Sequence, residues 1–443
     1  MDPSCSAEED AFRAEARQWL RAHVPAEPLP SLETEEGFAA HRAWEAELAA
    51  DRWSVVSWPE RYGGRDADIF RWLVFEEEYY AAGAPGRVTQ NGINLLAPTL
   101  FDHATEEQRA RVLPPMATGE VVWAQAWSEP ESGSDLASLT SRAVRTPGGW
   151  LLSGQKTWSS RAAFADRAFG IFRTDPETDP ARPHRGLTYL MFDLRAPGVT
   201  VRPIGRLDGK PAFAELFLDD VFVPDEDVIG EPGQGWRIAM STTGNERGLM
   251  LRSPGRFLAA ADRLVRLWRE GEEDRGPRDA SPRDPEPRGT SPRDPGPRDA
   301  SPRDPEPRGT SPRDPGLRDA SPRDPGLRDR VADAVIGARA YQLFTAGAAA
   351  RFAAGAGGTP ARAETGAGEI GAESSLNKVF WSEYDIALHE TALDLLGDEA
   401  ESADGAWAEG YVFSLAGPIY AGTNEIQRDI IAERLLGLPK GRR

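Results

Sequence analysis

The spacing of the apolar residues changes twice along the chain and divides it into three zones. From Ala7 to about Gly119 they recur at three- and four-residue intervals, which is typical of amphipathic helices. From Val121 to about Val228 short β-rich runs are separated by Gly, Pro and Asp, as in the strands of an antiparallel sheet or barrel. From Trp236 onward the helical spacing returns.

These zones predict an α+β fold in three parts. We expect an N-terminal helical domain over residues 1–120, a central antiparallel β-barrel-like domain over 121–230 and a C-terminal four-helix bundle over 231–443. The apolar pattern of the third zone predicts four helices, at Trp236–Glu270, Val331–Ala354, Ser374–Leu396 and Ile426–Leu436.

A proline-rich repeat interrupts the third zone. Asp279–Arg298 recurs as Asp299–Arg318, and a half copy follows at Asp319–Arg328. Proline removes backbone donors and disfavours helix at the preceding residue, so we expect a disordered, solvated insertion at about 271–328. A long surface insertion costs little closure entropy, so a tolerated insertion is favoured over a partner-docking segment.

Composition and charge exclude several classes of function. Hydrophobic residues make up 40% of the chain, as in a globular protein, and the formal net charge is -19, which disfavours nucleic acid as a partner. The single cysteine, Cys5, and five scattered histidines lack the spacing of a metal-binding motif, so we expect no metal site. With no long apolar run and no signal-like N-terminus, we expect a cytoplasmic protein without membrane attachment.

Two polar motifs in the central zone are candidate ligand contacts. The segment from Trp127 to Asp135 follows a predicted strand, and its Gly and Ser residues can bring backbone N–H and hydroxyl groups close to a ligand. In the segment from Gly154 to Ser160, the Trp158 indole could lie against a flat heterocycle. An ordinary polar turn and a core tryptophan are the alternative interpretations.

The third motif lies near the end of the chain. Gly422 allows a tight turn, and Thr423 or Asn424 can cap the helix that follows, with the Glu425 carboxylate in its first turn. Taken alone, this spacing indicates no more than a well-capped helix.

The three motifs occur in this order within a helix, sheet and helix frame, and together they resemble the acyl-CoA dehydrogenase family. The resemblance covers nearly all of the chain outside the repeat. Supporting segments are Trp58–Gly64, Thr105–Gln108 and Phe217–Pro224. It implies a flavin-dependent oxidoreductase of lipid metabolism that binds FAD between the β domain and the C-terminal bundle. It also implies a homodimer or homotetramer that passes electrons to an electron-transfer flavoprotein.

The resemblance also implies roles for individual residues, carried over position by position. The expected FAD contacts are Gln125, Trp127, Ser128, Ser134, Trp158, Ser160, Thr423 and Glu425. The expected substrate contacts are Ser134, Arg247, Ala421 and Gly422. In the family's reaction a carboxylate removes the Cα proton of an acyl thioester, and flavin N5 takes the Cβ hydride.

The position of that carboxylate departs from the commoner family pattern. Many members carry the catalytic Glu directly before the Gly-Thr of the last loop, where this chain has Ala421. A subset places it on the long helix that opens the C-terminal domain, before an Arg, and here Glu246 and Arg247 match. We therefore expect Glu246 to be the base; Glu425 and Asp429 are its nearest rivals.

Two further expectations concern the substrate and the competing functions. The small Ala421 side chain leaves volume near Cα, which favours a branched, cyclic or bulky acyl group, carried on CoA or on acyl-carrier protein. The missing loop carboxylate also keeps open a non-catalytic FAD-binding subunit of a hetero-oligomer. A flavin oxidase or monooxygenase of the same fold is the remaining alternative.

Overall fold

The computed structural model describes residues 6–177, 179, 181–247, 253–273, 324–355, 373–401 and 405–440. At residues 244–247, 272, 273, 352, 354 and 355 only the backbone is described.

The N-terminal part is built from helices, several of which begin directly after a residue whose side chain caps the helix N-terminus. Ser6 and Glu9 form a capping box at the first helix, Thr105 and Gln108 form another at the fifth, and Asp68 caps the third. A single π-turn, Gly92–Leu96, precedes the fourth helix. The helices are α1 (Ala7–His23), α2 (Glu35–Ala50), α3 (Ile69–Ala81), α4 (Ala97–His103) and α5 (Glu106–Ala117).

The central part is one sheet in which most neighbouring strands are antiparallel. The strands are β1 (Trp123–Ala126), β2 (Arg142–Thr146), β3 (Gly149–Ser160), β4 (Arg167–Arg173), β5 (Leu187–Asp193), β6 (Val199–Ile204), β7 (Phe213–Pro224) and β8 (Val228–Ile229). Their order is β6-β7-β3-β2-β4-β5-β8, and β1 pairs in parallel with β4. The long pair β3 and β7 is interrupted by two register shifts.

The C-terminal part is helical, as the apolar spacing predicts. Its helices are α6 (Gly235–Arg247), α7 (Pro254–Glu273), α8 (Pro325–Gly355), α9 (Glu373–Leu396), α10 (Ala406–Ser414) and α11 (Asn424–Ile430), which a π-turn, Ile431–Leu435, extends. The predicted fold class of helical, sheet and helical parts is therefore confirmed.

The prediction of one long helix over Trp236–Glu270 is wrong. Ser253 is not helical, and its hydroxyl accepts a hydrogen bond from the Gly255 amide at 3.1 Å. Proline disfavours the helical conformation at the residue before it but fits the first position of a new helix. Pro254 therefore begins α7, separately from α6.

Most of the predicted disordered insertion, residues 274–323, lies outside the described residues. Its two ends were predicted wrongly, because residues 271–273 complete α7 and Pro325–Arg328 open α8. Asp324 explains the second boundary: its carboxylate accepts the Gly326 amide at 2.8 Å, and Pro325 occupies the first helical position. Leu327, within the repeat, is buried.

One apolar cluster joins the three parts of the fold. It contains Trp58 and Leu96 from the N-terminal region, Trp127 and Tyr189 from the sheet, and Ile238 from α6. Helix α6 contacts β4, β5, the π-turn before α4, and also α9. The cluster therefore holds α6 against the sheet and the N-terminal helices, and α6 also contacts α9.

In the described ranges, no helix is both long enough and apolar enough to cross a membrane.

Helix α7 packs on α3 at a point where only glycine fits. A Cβ at Gly255 would lie 2.6 Å from the Glu76 carbonyl oxygen. We expect Gly255→Ala to lower the free energy of unfolding by about 1–3 kcal/mol, because two helices must separate. Urea denaturation measures this.

Gly347→Ala in α8 is the matched control. Its added Cβ would have the Arg351 Nη1 atom as nearest neighbour at 3.6 Å, an ordinary contact. This change should raise the stability by about 0.5–1 kcal/mol, since alanine favours a helix interior. Equal effects of the two substitutions would contradict the close-packing account.

Candidate functional site

The two polar motifs of the central zone lie side by side. The Thr157 amide donates to the Ser128 carbonyl at 2.8 Å, which joins the turn after β1 to the far end of β3. Sequence reasoning placed both motifs at a ligand site, and the fold brings them into direct contact.

A buried ion pair holds this junction. Lys156 is fully buried and Glu129 is 6% exposed, and the Lys156 Nζ atom lies 2.9 Å from Glu129 Oε1. The same ammonium donates to the Trp127 carbonyl at 3.2 Å and to the Ile171 carbonyl at 2.9 Å. Every proton of this ammonium therefore has an acceptor.

The Glu129 carboxylate is equally well bonded. Its Oε1 atom accepts the Ser141 amide at 2.9 Å, and its Oε2 atom accepts the Thr140 amide at 2.7 Å and the Thr140 hydroxyl at 2.9 Å. The pair thus fixes the path of the chain from Trp127 to Ser141. Sequence analysis gave neither residue a role, although a lysine at an inward position of an alternating strand was the available signal.

The pKa values of the pair follow from burial and mutual attraction. Burial alone would raise the pKa of Glu129, but the Lys156 charge and the hydrogen bonds from Ser141 and Thr140 outweigh it and lower the pKa to about 2. Burial lowers the pKa of Lys156 to about 8, against the opposing effect of Glu129.

Trp127 lies on the inner side of the turn. It is buried, and its ring meets Tyr189 edge-on with 6.1 Å between centroids. Its indole Nε1 atom is buried and has no hydrogen-bond partner among the described residues. An indole N–H in that position is a donor that a polar ligand atom can satisfy.

Trp158 is turned outward by a bulge. Its φ is +58°, and the register of β3 against β7 shifts between Lys156 and Ser159. The extra residue of a bulge re-aims its side chain. The indole is 60% exposed and touches Phe213 edge-on, with 5.9 Å between ring centroids. Its face is therefore open to a flat ligand.

Three other predicted FAD contacts lie on β1, at the end of β3 and on the turn that follows β1. Gln125 lies on β1 opposite Phe169 and is half-buried, and Ser160 ends β3 opposite Phe213. Ser134 is exposed on the turn.

The C-terminal loop has the turn and the cap expected of it. Ala421 and Gly422 both have left-handed backbones, with φ of +57° and +80°. Thr423 caps α11 by accepting the Ile426 amide at 3.3 Å. The buried Gln427 donates through Nε2 to the Ala421 carbonyl at 2.9 Å, which fixes the orientation of that peptide.

A second buried lysine anchors this loop. The Lys378 Nζ atom donates to Asn424 Oδ1 at 2.8 Å, and the Ser382 hydroxyl donates to the same oxygen at 3.1 Å. All three residues are buried, and both donors lie on α9. Sequence analysis considered Asn424 only as a cap and missed Lys378, because a lysine in an amphipathic helix normally indicates an exposed face.

Neither of the two alternative candidates for the catalytic base lies in a desolvated position. Glu425 and Asp429 are both exposed on α11. Hydrogen bonds from the helix N-terminus and from Thr423 lower the pKa of Glu425, which makes it a weaker base.

Helix α6 connects the two halves of the site. Thr242 is fully buried, and its Oγ1 atom lies 2.7 Å from Thr99 Oγ1 and 3.4 Å from the Tyr189 hydroxyl. Tyr189 in turn contacts Trp127, and α6 also contacts α9, which holds the C-terminal loop. Glu246 and Arg247 are the last residues of α6, and their side chains lie outside the described residues.

Three family models match the chain in this order. The N-terminal domain model of acyl-CoA dehydrogenases matches residues 6–120, the middle domain model matches 124–221, and the C-terminal domain model matches 320–436.

Similar proteins cover the whole chain. Acyl-CoA dehydrogenase IpdE1 of Mycobacterium tuberculosis is 33% identical over 97% of this chain and 98% of its own length. The IpdE1 protein of Mycolicibacterium smegmatis is 32% identical over 97% of each. Among solved structures, the Tcur3481-Tcur3483 steroid ACAD has a TM-score of 0.72 and the ChsE4-ChsE5 complex from Mycobacterium tuberculosis one of 0.74. Each is 26% identical, with both chains covered completely.

Glu129→Gln tests the buried ion pair. It leaves the Lys156 ammonium without a counter-charge in the interior, so we expect the free energy of unfolding near pH 6 to fall by about 3–5 kcal/mol. The exposed pair of Arg145 and Asp225 is the matched control, and Asp225→Asn should leave the free energy of unfolding nearly unchanged, because solvent screens an exposed pair. Similar losses for the two variants would contradict the account.

The stability difference between wild type and Glu129→Gln should depend on pH. The pKa of Glu129 is about 2 in the folded protein, below the ordinary 4.5, so its stabilisation is complete above pH 4.5. It is lost as the pH falls from 4.5 toward 2. The stability difference between wild type and Glu129→Gln should therefore narrow over that range in urea unfolding.

Proposed function

This chain belongs to the acyl-CoA dehydrogenase family, and from that premise we propose that it catalyses the α,β-dehydrogenation of an acyl thioester with Glu246 as the base. The family, the fold class, the enzyme class and the FAD cofactor predicted from the motifs are confirmed. The residue roles that follow are our proposal.

The residues around the two tryptophans suit an isoalloxazine ring. Trp158 offers an open aromatic face, and Trp127 offers a buried indole N–H without a protein partner in the described ranges. When bound, FAD supplies the acceptor for the hydride from Cβ. The residues proposed to hold it are Gln125, Trp127, Ser128, Ser134, Trp158, Ser160, Thr423 and Glu425.

The base assignment rests chiefly on the placement of α6. Thr242 and Glu246 are four residues apart, so they share a face of the helix, and Thr242 packs toward Tyr189 and thus toward Trp127. Ala421 cannot accept a proton at the loop position, and the exposed Glu425 has a lowered pKa. Glu246 is the carboxylate that this arrangement favours.

Residues of this chain would transfer the proton, stabilise the charge that develops and contact the substrate. The Glu246 carboxylate takes the proton from Cα, and negative charge develops on the thioester carbonyl oxygen. The backbone N–H of Ala421, in the turn whose carbonyl is held by Gln427, would donate to that oxygen. Arg247, Ser134 and Gly422 would contact the rest of the substrate.

The substrate and its surroundings can be proposed more narrowly. The methyl group of Ala421 leaves room near Cα for a branched, cyclic or bulky acyl group, and one of the similar structures is a steroid ACAD. The thioester would be carried on CoA or on acyl-carrier protein.

We further propose the domain organisation, location and partners of the protein. The domain boundaries lie near 120 and 230, and the location is cytoplasmic. The electron acceptor is an electron-transfer flavoprotein, and the assembly is a homodimer, homotetramer or hetero-oligomer.

Anaerobic mixing with acyl-CoAs tests the reaction and its base. A bulky acyl-CoA should bleach the flavin absorbance of the wild type, and Glu246→Gln should slow this by at least about 1,000-fold while FAD stays bound. Adding Ala421→Glu to Glu246→Gln places a carboxylate in the last loop and should restore part of the rate. Asp429→Asn is the control and should leave the rate unchanged.

Two results would contradict this assignment. Bleaching that survives in Glu246→Gln would exclude Glu246 as the base. A wild-type protein whose flavin is bleached by no thioester would exclude the dehydrogenation itself.

The role of Trp158 is tested by FAD affinity. Trp158→Ala removes the exposed ring and should raise the Kd for FAD roughly twofold to tenfold, since such aromatic contacts contribute about 0.5–1.5 kcal/mol. Phe222→Ala, which removes a half-exposed ring from β7, is the matched control and should leave the Kd unchanged. Fluorescence titration of the FAD-free protein measures both, and equal effects would remove Trp158 from the cofactor site.

A further inference from the structure

The C-terminal loop, residues 417–424, packs directly on α9. A Cβ at Gly417 would lie 3.3 Å from the Ser382 Cβ atom and 3.4 Å from the Trp381 Cζ3 atom, so the loop begins in close contact with the helix. Tyr420, in the middle of the loop, packs on the buried Trp381 ring with 5.8 Å between centroids. Helix α9 therefore supports both the start and the middle of the loop.

Hydrogen bonds within the loop link Asn424 to the peptide of Ala421. The Asn424 amide donates to the Pro418 carbonyl at 2.8 Å, and Gln427 Nε2 donates to the carbonyls of Ala421 at 2.9 Å and Gly422 at 3.3 Å. The left-handed backbone of Ala421, with φ of +57°, is one that alanine adopts only where its surroundings impose it. A shift of Asn424 would therefore shift the Ala421 peptide.

Lys378 makes the stronger of the two described bonds that hold the Asn424 side chain. Its buried ammonium donates to Asn424 Oδ1 at 2.8 Å, and the Ser382 hydroxyl donates to the same oxygen at 3.1 Å. A hydrogen bond from an ionised donor is shorter and stronger than one between neutral groups. The ammonium thus restricts the position of Asn424 more than the hydroxyl does.

The position of this ammonium is unfavourable for stability. Asn424 is the first residue of α11, and the N-terminus of a helix carries a partial positive charge that disfavours a nearby cation. Hydrogen bonds at this helix N-terminus and from Thr423 lower the pKa of Glu425, and the Lys378 charge adds to them, so its field reaches this end of the helix. Burial of an ammonium is costly as well. A lysine at this position is therefore better explained by the precision it gives the loop than by stability.

We propose that Lys378 is a positioning residue for the dehydrogenation, which acts through Asn424 to hold the Ala421 backbone N–H where it donates to the thioester carbonyl oxygen. The inference rests on the proposed function and adds to it a residue that acts indirectly. Negative charge grows on that oxygen as the Cα proton leaves. A misplaced N–H should therefore slow the reaction more than it weakens binding.

Lys378→Met tests the effect on the rate. Methionine fills a similar volume but has no hydrogen-bond donor for Asn424. With FAD-loaded protein and 3-cyclohexylpropanoyl-CoA, the maximal rate of anaerobic flavin bleaching should fall by about 10- to 100-fold, as expected for a misplaced reacting geometry. The thioester concentration that gives half of that rate should change little.

The carbonyl band of a bound product tests the position of the N–H without turnover. The probe is 3-cyclohexylprop-2-enoyl-CoA labelled with ¹³C at the thioester carbonyl, and the measurement is infrared difference spectroscopy. A hydrogen bond lowers the stretching frequency of a carbonyl. Binding to the wild type should therefore lower the frequency of this band, and in Lys378→Met the band should return most of the way toward the frequency of the free thioester.

Two further variants distinguish positioning from a general effect on folding. Leu388→Ala is the matched control, because Leu388 is buried on the same helix but packs in an apolar cluster with Ala260 and Val331. It should lower the stability by leaving a cavity and keep the rate and the carbonyl band. Asn424→Ala should slow bleaching and move the band by itself, and adding Lys378→Met to it should have little further effect.

The outcomes separate the inference from the function on which it rests. The positioning role is wrong, and the dehydrogenation stands, if the wild-type flavin is bleached but Lys378→Met or Asn424→Ala keeps the wild-type rate. The same conclusion follows if the rate falls while the carbonyl band stays in place, or if Leu388→Ala has equal effects. If neither this thioester nor a straight-chain acyl-CoA bleaches the wild-type flavin, both proposals are wrong.

Discussion

Lys156 places a positive charge in the interior of the sheet, and the geometry of the candidate site depends on how that charge is matched. The ammonium donates to Glu129 and to the carbonyls of Trp127 and Ile171. The Glu129 carboxylate in turn accepts the backbone amides of Thr140 and Ser141. A buried pair of this kind adds little net stability over apolar packing, but removing one partner is costly. Its consequence here is positional, because it fixes the turn that presents Trp127 and Ser128 beside Trp158.

The C-terminal half of the site is built on the same principle. Lys378 is buried on α9 and holds Asn424 at the start of α11, so the loop that contains Ala421 is tied to the helical core. Helix α6 touches both halves, through Thr242 and Tyr189 on the sheet side and through α9 on the other. Helix α6 therefore lies between the sheet and α9, and the apolar contacts of Ile238 hold it against the sheet.

Much of the fold could be predicted from the sequence, because apolar spacing and caps act locally. The helical and strand zones were sufficient to predict the fold class. The resemblance of the ordered motifs was sufficient to predict the family. The break at Ser253 and the opening of α8 at Pro325 were missed, since both depend on reading proline as the first residue of a helix rather than as an interruption. Lys156 and Lys378 were missed because only packing shows that a charged residue is enclosed. The outward turn of Trp158 required the register of β3 against β7, which is a long-range property.

The account's central claim is that Glu246 on α6 faces Cα of a thioester bound beside the flavin. A crystal structure of the FAD-loaded protein with a non-reacting 3-thia-acyl-CoA measures this directly. The account predicts a Glu246 carboxylate oxygen within about 3–3.5 Å of Cα, the separation at which a positioned base reacts. A Glu246 side chain directed into bulk solvent, or a different carboxylate in contact with Cα, would contradict it.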